Sequence, residues 1–138
     1  MIRIHASCVA IGGRAVLIEG PSGSGKSDLA LRLIDRGAAL VSDDYTELSV
    51  ESEQLMARAP DTIAGRIEVR GLGIVALPPA PSAPVALLVR SGTPERMPEA
   101  ASCAMEGVDV PMITLSLLEP SAPIKVELAL SALGGAGS

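Results

Sequence analysis

Aromatic side chains are almost missing from this sequence: its 138 residues include no Trp and no Phe, and Tyr45 stands alone. A core without rings has to be assembled from Ala, Val, Ile and Leu, which suits a sheet covered by helices. No Lys/Arg run with interleaved aromatics occurs, and 16 acidic against 11 basic residues give a formal charge of −5. The electrostatic footprint of a nucleic-acid binder is therefore missing. No apolar stretch approaches the ~18 residues of a membrane-spanning helix. Arg3, His5, Gly12, Gly13, Arg14 and Glu19 break up the N-terminal apolar run, a pattern unlike a signal peptide. We expect a soluble cytoplasmic protein with neither nucleic acid nor membrane as a partner. The two cysteines, Cys8 and Cys103, lie far apart without metal-ligand spacing and read as reduced core thiols.

What is present is small and aliphatic, with a hydrophobic fraction of 48%, and the length suits one domain. We place that domain at residues 1–131 and a flexible tail at 132–138. Ile2, Ile4, Val9 and Ala10-Ile11 suggest a first strand, and Gly12-Gly13 a tight turn into a second apolar run at residues 15–18, together a hairpin. From Ser27 the pattern turns helical, with Leu29 and Leu33 four apart beside Ala30 and Ile34, and stops at Arg36-Gly37. An extended run through Leu40-Val41 then ends at Asp43-Asp44. Strand, glycine loop, helix and strand within residues 15–42 fit a βαβ unit of about 30 residues, with parallel strands and a right-handed crossover. Further strands are expected at 47–50, 66–70, 85–89 and 112–115. Pro78, Pro79, Pro81 and Pro84 make 77–84 a loop, and Ser121 reads as the cap of a terminal helix through Ile124 and Leu128. The fold class is α/β, a single P-loop-containing domain with a mixed sheet.

The most specific chemistry is local. Gly20-Pro21-Ser22-Gly23-Ser24-Gly25-Lys26-Ser27 matches G-x-x-x-x-G-K-[ST] in full, and it follows an expected strand and opens an expected helix. Glycines let backbone N–H groups wrap phosphates, Lys26 adds a point charge, and the Ser27 hydroxyl can ligate Mg²⁺. ATP and Mg²⁺ are the expected ligands. Asp43 and Asp44 end the second strand of the βαβ unit, at the same sheet edge as this loop. Such a pair can hold Mg²⁺ and accept a hydroxyl proton. Neighbours on a strand point to opposite faces, so both serve only if the chain leaves the strand there; a solvated Asp-Asp turn is the alternative. Glu68 and Arg70 share one face of a short strand ahead of glycines that permit close backbone approach, and taken alone would pass for an exposed pair. His5, the sole histidine, has no partner visible in the sequence, which favours a structural or surface role, and Arg96, in a polar stretch at 93–98, would likewise pass as a solvated loop charge.

Taken together, three segments resemble the catalytic domain of HPr kinase/phosphorylase, over residues 5 to about 130. They are Gly25-Lys26-Ser27-Asp28 with the helix to Arg36, Leu40-Val41-Ser42-Asp43-Asp44, and Glu68-Val69-Arg70-Gly71-Leu72-Gly73-Ile74. The resemblance implies that His5 is an active-site histidine, Lys26 the phosphate-binding lysine, and Ser27 and Glu68 Mg²⁺ ligands with Asp43 beside the metal. It implies that Asp44 takes the proton of the acceptor serine and that Arg96 offsets charge on the transferring phosphoryl. The activity implied is ATP- and Mg²⁺-dependent phosphorylation of a serine of the phosphocarrier HPr of the sugar phosphotransferase system, or of its nitrogen-branch relative. A homo-oligomer, a hexamer in the family, is implied as well.

Two departures qualify the match. The sequence starts at the catalytic domain, as in a short form found in some proteobacteria. Leu115-Ser116-Leu117-Leu118-Glu119-Pro120 stands where the family has an arginine-rich loop associated with dephosphorylation. Without those guanidinium forks for phosphate, the phosphorylase half is not expected. An ATP-binding regulatory module that transfers nothing, and a small-molecule P-loop kinase or NTPase, remain as alternatives.

Overall fold

Short aliphatic segments punctuated by turn residues favour strands over helices, and the computed structural model, which describes residues 1–134, is mostly sheet. Its strands are β1 (Ile2–Ile4), β2 (Ala6–Ile11) and β3 (Arg14–Glu19), followed by helix α1 (Lys26–Asp35). After α1 come β4 (Ala39–Ser42), β5 (Thr46–Glu51), β6 (Gln54–Arg58), β7 (Arg66–Val69), β8 (Gly73–Ala76), β9 (Ala83–Ser91), β10 (Ala101–Met105), β11 (Val108–Leu115) and helix α2 (Ala122–Ala132). Nine strands join in one curled mixed sheet, and β7 and β8 form a separate hairpin.

The expected hairpin is present: β2 and β3 pair antiparallel from Ala6↔Glu19 to Ile11↔Arg14. Its turn places Gly12 and Gly13 at φ +59° and +81°, the left-handed geometry that two-residue hairpin turns require. The βαβ expectation needs a correction. β3 and β4 do run parallel, but they are not neighbours, because β2 lies between them and pairs antiparallel with both. The single N-terminal strand is also two: β1 pairs with β5 through Ile2↔Leu48 to Ile4↔Thr46, and the chain bends at His5 before β2 begins.

β9 is the hub. It runs parallel to β3 from Ala15↔Val85 to Glu19↔Arg90 and parallel to β11 from Met112↔Leu88 to Leu115↔Ser91. Its first residues pair antiparallel with β6, through Met56↔Pro84 and Ala57↔Ala83. Pro84 is therefore in a strand, not the expected loop; it sits beside the strand's first residue, where a missing N–H donor is tolerated.

Both faces of the sheet are covered. Along β3, Val16 and Ile18 pack with Leu29, Leu33, Val126 and Leu130 of the two helices. Ala15 and Leu17 pack on the opposite side with Leu48, Leu55 and Leu88. This double burial is why β3 reads as an unbroken apolar run. α2 starts where expected, but Ser121 makes no side-chain cap hydrogen bond, and Pro123 occupies the first turn, where its missing N–H costs nothing. The helix extends to Ala132, one residue beyond the expected domain boundary; of the expected tail, residues 135–138 lie outside the described residues. Among the described residues, no helix is long and apolar enough to cross a membrane.

Candidate active site

The loop from Gly20 to Gly25 joins β3 to α1, and its glycines are there for space and for dihedral angle. A Cβ on Gly20 would stand 2.6 Å from Ser24 Oγ and 2.7 Å from Ser91 Cβ. Gly25 has φ +103° and faces Leu118, whose Cδ2 would lie 2.6 Å from an added Cβ. Ser24 N–H closes the loop onto the Pro21 carbonyl at 3.1 Å, and Leu29 N–H begins the helix from the Gly25 carbonyl at 2.9 Å. Just before the loop, Arg90 donates to Glu19 at 2.6 Å. That bond, with the carboxylate's charge, holds the Arg90 guanidinium above its ordinary range and ties the end of β3 to β9. Lys26 is buried and curls back, donating from Nζ to the carbonyls of Gly20 at 2.8 Å and Pro21 at 3.2 Å.

Asp43 and Asp44 follow the last residue of β4. Asp43 is 7% exposed and collects three donors: Ser27 Oγ at 2.6 Å and Ser7 Oγ at 3.0 Å on Oδ1, and Glu68 N–H at 3.0 Å on Oδ2. At Asp44 the chain does leave the strand. Its φ is +69°, and Tyr45 N–H reaches the Asp43 carbonyl at 2.8 Å, which makes a γ-turn of the strained hand. The turn sends the Asp44 side chain outward, where Oδ1 lies 2.8 Å from His5 Nε2, and the His5 ring stacks on Tyr45 at 5.1 Å.

The β7–β8 hairpin brings Glu68 and Arg70 to the same place, although β7 stops at Val69 and Arg70 lies in the turn rather than on the expected strand. Gly71 and Gly73, at φ +92° and +94°, shape that turn. Lys26, Ser27, Asp43, Asp44, Glu68 and Arg70 thus line one cleft of about 560 Å³, with Leu118 at its rim. A second hollow of about 340 Å³ meets it at Asp43, Asp44 and Glu68 and continues past Tyr45, Ile63, Arg66 and Ile74. Arg96 is not brought in: it is exposed in the β9–β10 connection and lines neither hollow.

Two contributors escape the sequence reading. Ser7, wholly buried in β2, donates to Asp43 and accepts the Asp44 N–H at 3.1 Å. A hydroxyl inside an otherwise apolar strand, two residues from His5, was the available signal. Arg32 on α1 pairs with Asp28 at 2.9 Å and donates to the carbonyls of Leu117 and Glu119, the latter at 3.0 Å. It thereby fixes the segment that carries Leu118. Among the described residues, no three His, Cys, Asp or Glu side chains converge as a metal cage.

The profile of the HPr Serine kinase C-terminal domain matches residues 1–79, which hold His5, Ser7, Lys26, Ser27, Asp43, Asp44, Glu68 and Arg70 but neither Arg96 nor Leu118. The HPr kinase/phosphorylase of Clostridium beijerinckii is 47% identical over 73 residues, 53% of this chain and 24% of that protein. The Bacillus velezensis protein of the same name is 49% identical over 73 residues, 52% of this chain and 24% of that one. The chain thus spans about a quarter of the length of the curated relatives it matches. The solved structure of the Hpr(Ser) kinase/phosphatase from Coxiella burnetii superposes with a TM-score of 0.84 at 30% identity, covering 96% of this chain and 90% of that one. A profile match over more than half its length and a shared fold over nearly all of it mean that the chain belongs to the HPr serine kinase C-terminal domain family.

Proposed function

We propose that this chain transfers the γ-phosphoryl group of ATP to a serine hydroxyl of an HPr-like phosphocarrier protein, of the sugar branch or the nitrogen branch. The observation that carries this reading is the division of labour at the end of β4: Asp43 is tied to the phosphate loop through Ser27, and Asp44 is turned outward to His5. Family membership supports the choice of acceptor.

Loop N–H groups and Lys26 receive the phosphates; Lys26 exchanges its bonds to the Gly20 and Pro21 carbonyls for phosphate oxygens. The donor set fits Mg²⁺. Ser27 gives its only hydroxyl hydrogen to Asp43 and keeps its lone pairs, and the Glu68 carboxylate lines the same cleft. Mg²⁺ takes few protein ligands and keeps several waters, so no dedicated cage is required. When bound, it neutralises charge on the phosphates. Asp43, already holding three donors, fixes Ser27 beside the metal. Asp44 accepts the serine proton on Oδ2 while His5 orients it through Oδ1, so positioning and charge stabilisation supply most of the barrier reduction. The 115–120 segment offers no guanidinium to a phosphoserine, which favours the kinase direction over the reverse one. Arg96, outside the cleft, is assigned no step. A cytoplasmic homo-oligomer completes the reading.

The test is incubation of the purified chain with Mg²⁺, γ-labelled ATP and the HPr-like protein of the same organism. Label should appear on an acceptor serine and be absent with Lys26→Ala. Asp44→Asn should bind nucleotide normally and transfer about 100-fold more slowly or worse, the usual loss of a general base. Wild-type chain that binds ATP yet labels no acceptor would overturn the kinase reading. Wild-type turnover in Asp44→Asn would remove Asp44 from the mechanism.

A further inference from the structure

We infer that Ser7 is a positioning residue whose hydroxyl fixes the acceptor-side aspartate, Asp44, relative to the nucleotide-side aspartate, Asp43; this rests on the phosphoryl-transfer reading of the cleft. A serine hydroxyl has one hydrogen to give and lone pairs to receive, and here both are used on consecutive residues. Oγ–H goes to Asp43 Oδ1 at 3.0 Å, and the Asp44 N–H comes to Oγ at 3.1 Å. Asp43 in turn holds Ser27 at 2.6 Å, and Asp44 lies 2.8 Å from His5. One hydroxyl thus stands at the middle of a chain that runs from the phosphate loop to the acceptor side.

The backbone explains why a side chain is needed there. The β2–β4 ladder shifts register between Cys8 and Val9, and its last pair is Cys8↔Ser42. The next rung would be Ser7 against Asp43, where the γ-turn pulls the backbone away. Ser7 replaces that rung with its hydroxyl. Residues at positive φ cost of order 1–3 kcal/mol and persist only where their surroundings over-determine them. The hydrogen bonds to main-chain atoms of this turn are Tyr45 N–H to the Asp43 carbonyl, Ser42 Oγ to the Tyr45 carbonyl, and Asp44 N–H to Ser7 Oγ. The first two arise within the turn and the strand leading into it; Ser7 alone of the three reaches in from another strand. Ser7 is fully buried, so no water can take over its two bonds without a rearrangement.

Losing the hydroxyl leaves Asp43 with Ser27 and Glu68 N–H, so the nucleotide side survives, whereas Asp44 loses the anchor of its amide. In Ser7→Ala and Ser7→Val, the KM for ATP should stay within about twofold while kcat for acceptor phosphorylation falls up to about tenfold, the upper end of what one neutral hydrogen bond contributes. Ser7→Thr, which has the shape of Val but keeps the hydroxyl, should restore most of kcat. A role confined to packing would give Thr and Val the same kcat. Amide hydrogen exchange at Asp44, read without turnover, should be accelerated in Ala and Val and protected in Thr and wild type. If wild-type chain transfers phosphoryl and Ala and Val match it in kcat, the Ser7 inference falls and the kinase reading stands. If wild-type chain transfers nothing, the kinase reading falls and exchange alone decides: protection kept in Ser7→Ala overturns the inference, and protection lost in Ala and Val but kept in Thr upholds the positioning of Asp44.

Discussion

Cys8 and Cys103 both read as core thiols in the sequence, yet only one of them is enclosed. Cys8 is fully buried between β3 and β4, and desolvation pushes its thiol far above the ordinary cysteine range; Cys103 lies on β10, partly exposed, with its sulfur 4.0 Å from Arg90. Because the thiolate is the reactive species, one thiol should titrate with a disulfide reagent in the native protein at mildly alkaline pH, and two after denaturation. Two fast-reacting thiols in the native state would show that the centre of the sheet opens. The same contrast between local and remote information governs the site. Lys26 and Ser27 were legible because motif, strand and helix are contiguous, and the need for the chain to break at Asp43-Asp44 followed from strand geometry alone. His5 and Glu68 could be assigned only by resemblance. They come from β1–β2 and from the β7–β8 hairpin, and nothing local announces that both arrive at the end of β4. Ser7 was missed for that reason: its function exists only because β2 lies between β3 and β4.

At the scale of elements, periodicity located α1 and most strands, and two of the misses share a cause. β5 and β6 are joined through Ser52 and Glu53, at φ +51° and +66°, and β10 and β11 through Glu106 and Gly107, at φ +50° and +81°. Three of those four residues are not the Gly or Asn that signal such turns, so β6 and β10 went unseen. The strands so joined are held in part by charge. Arg3 on β1 and Arg58 on β6 both donate to Glu47 on β5, at 3.1 and 3.2 Å. The Arg3 hydrogen bond first, and Arg58 after it, keep the Glu47 carboxyl below the ordinary carboxylate range. A carboxyl whose value is lower in the folded than in the unfolded chain contributes stability that is complete above the unfolded value and is lost as pH falls through the folded one. Glu47→Gln should therefore melt slightly below wild type at neutral pH, by the small amount that solvated ion pairs contribute, and the gap should close in acid. Melting curves across that range check it; a gap that is constant or widens in acid would assign the loss to packing instead.

For the molecule as a whole, likeness in sequence and likeness in shape part company after residue 79. The family profile ends there, yet superposition on the Coxiella burnetii structure covers 96% of the chain. The later half is β9, β10, β11 and α2, aliphatic elements whose requirement is to be apolar and of about the right size, so their fold leaves a weak trace in sequence. β9 also joins the two faces of the molecule, since Val89 belongs to the helix-side core and Leu88 to the opposite one. This strand, shared by β3, β6 and β11, should couple the two cores into one cooperative unit. Leu33 on α1 is fully buried on the helix side, and Leu55 on β6, 2% exposed, is buried on the other. Leu33→Ala and Leu55→Ala should each cost about 2–5 kcal/mol, the range for deleting a buried leucine side chain. Each should lower one and the same thermal transition, seen identically by calorimetry and by circular dichroism. With no shared partners across the sheet, the two losses should add to within about 0.5 kcal/mol in the double variant. A second transition appearing in Leu55→Ala alone would mean that the β1–β5–β6 side melts independently of the side covered by α1 and α2, and that β9 joins the two in space without coupling their stability.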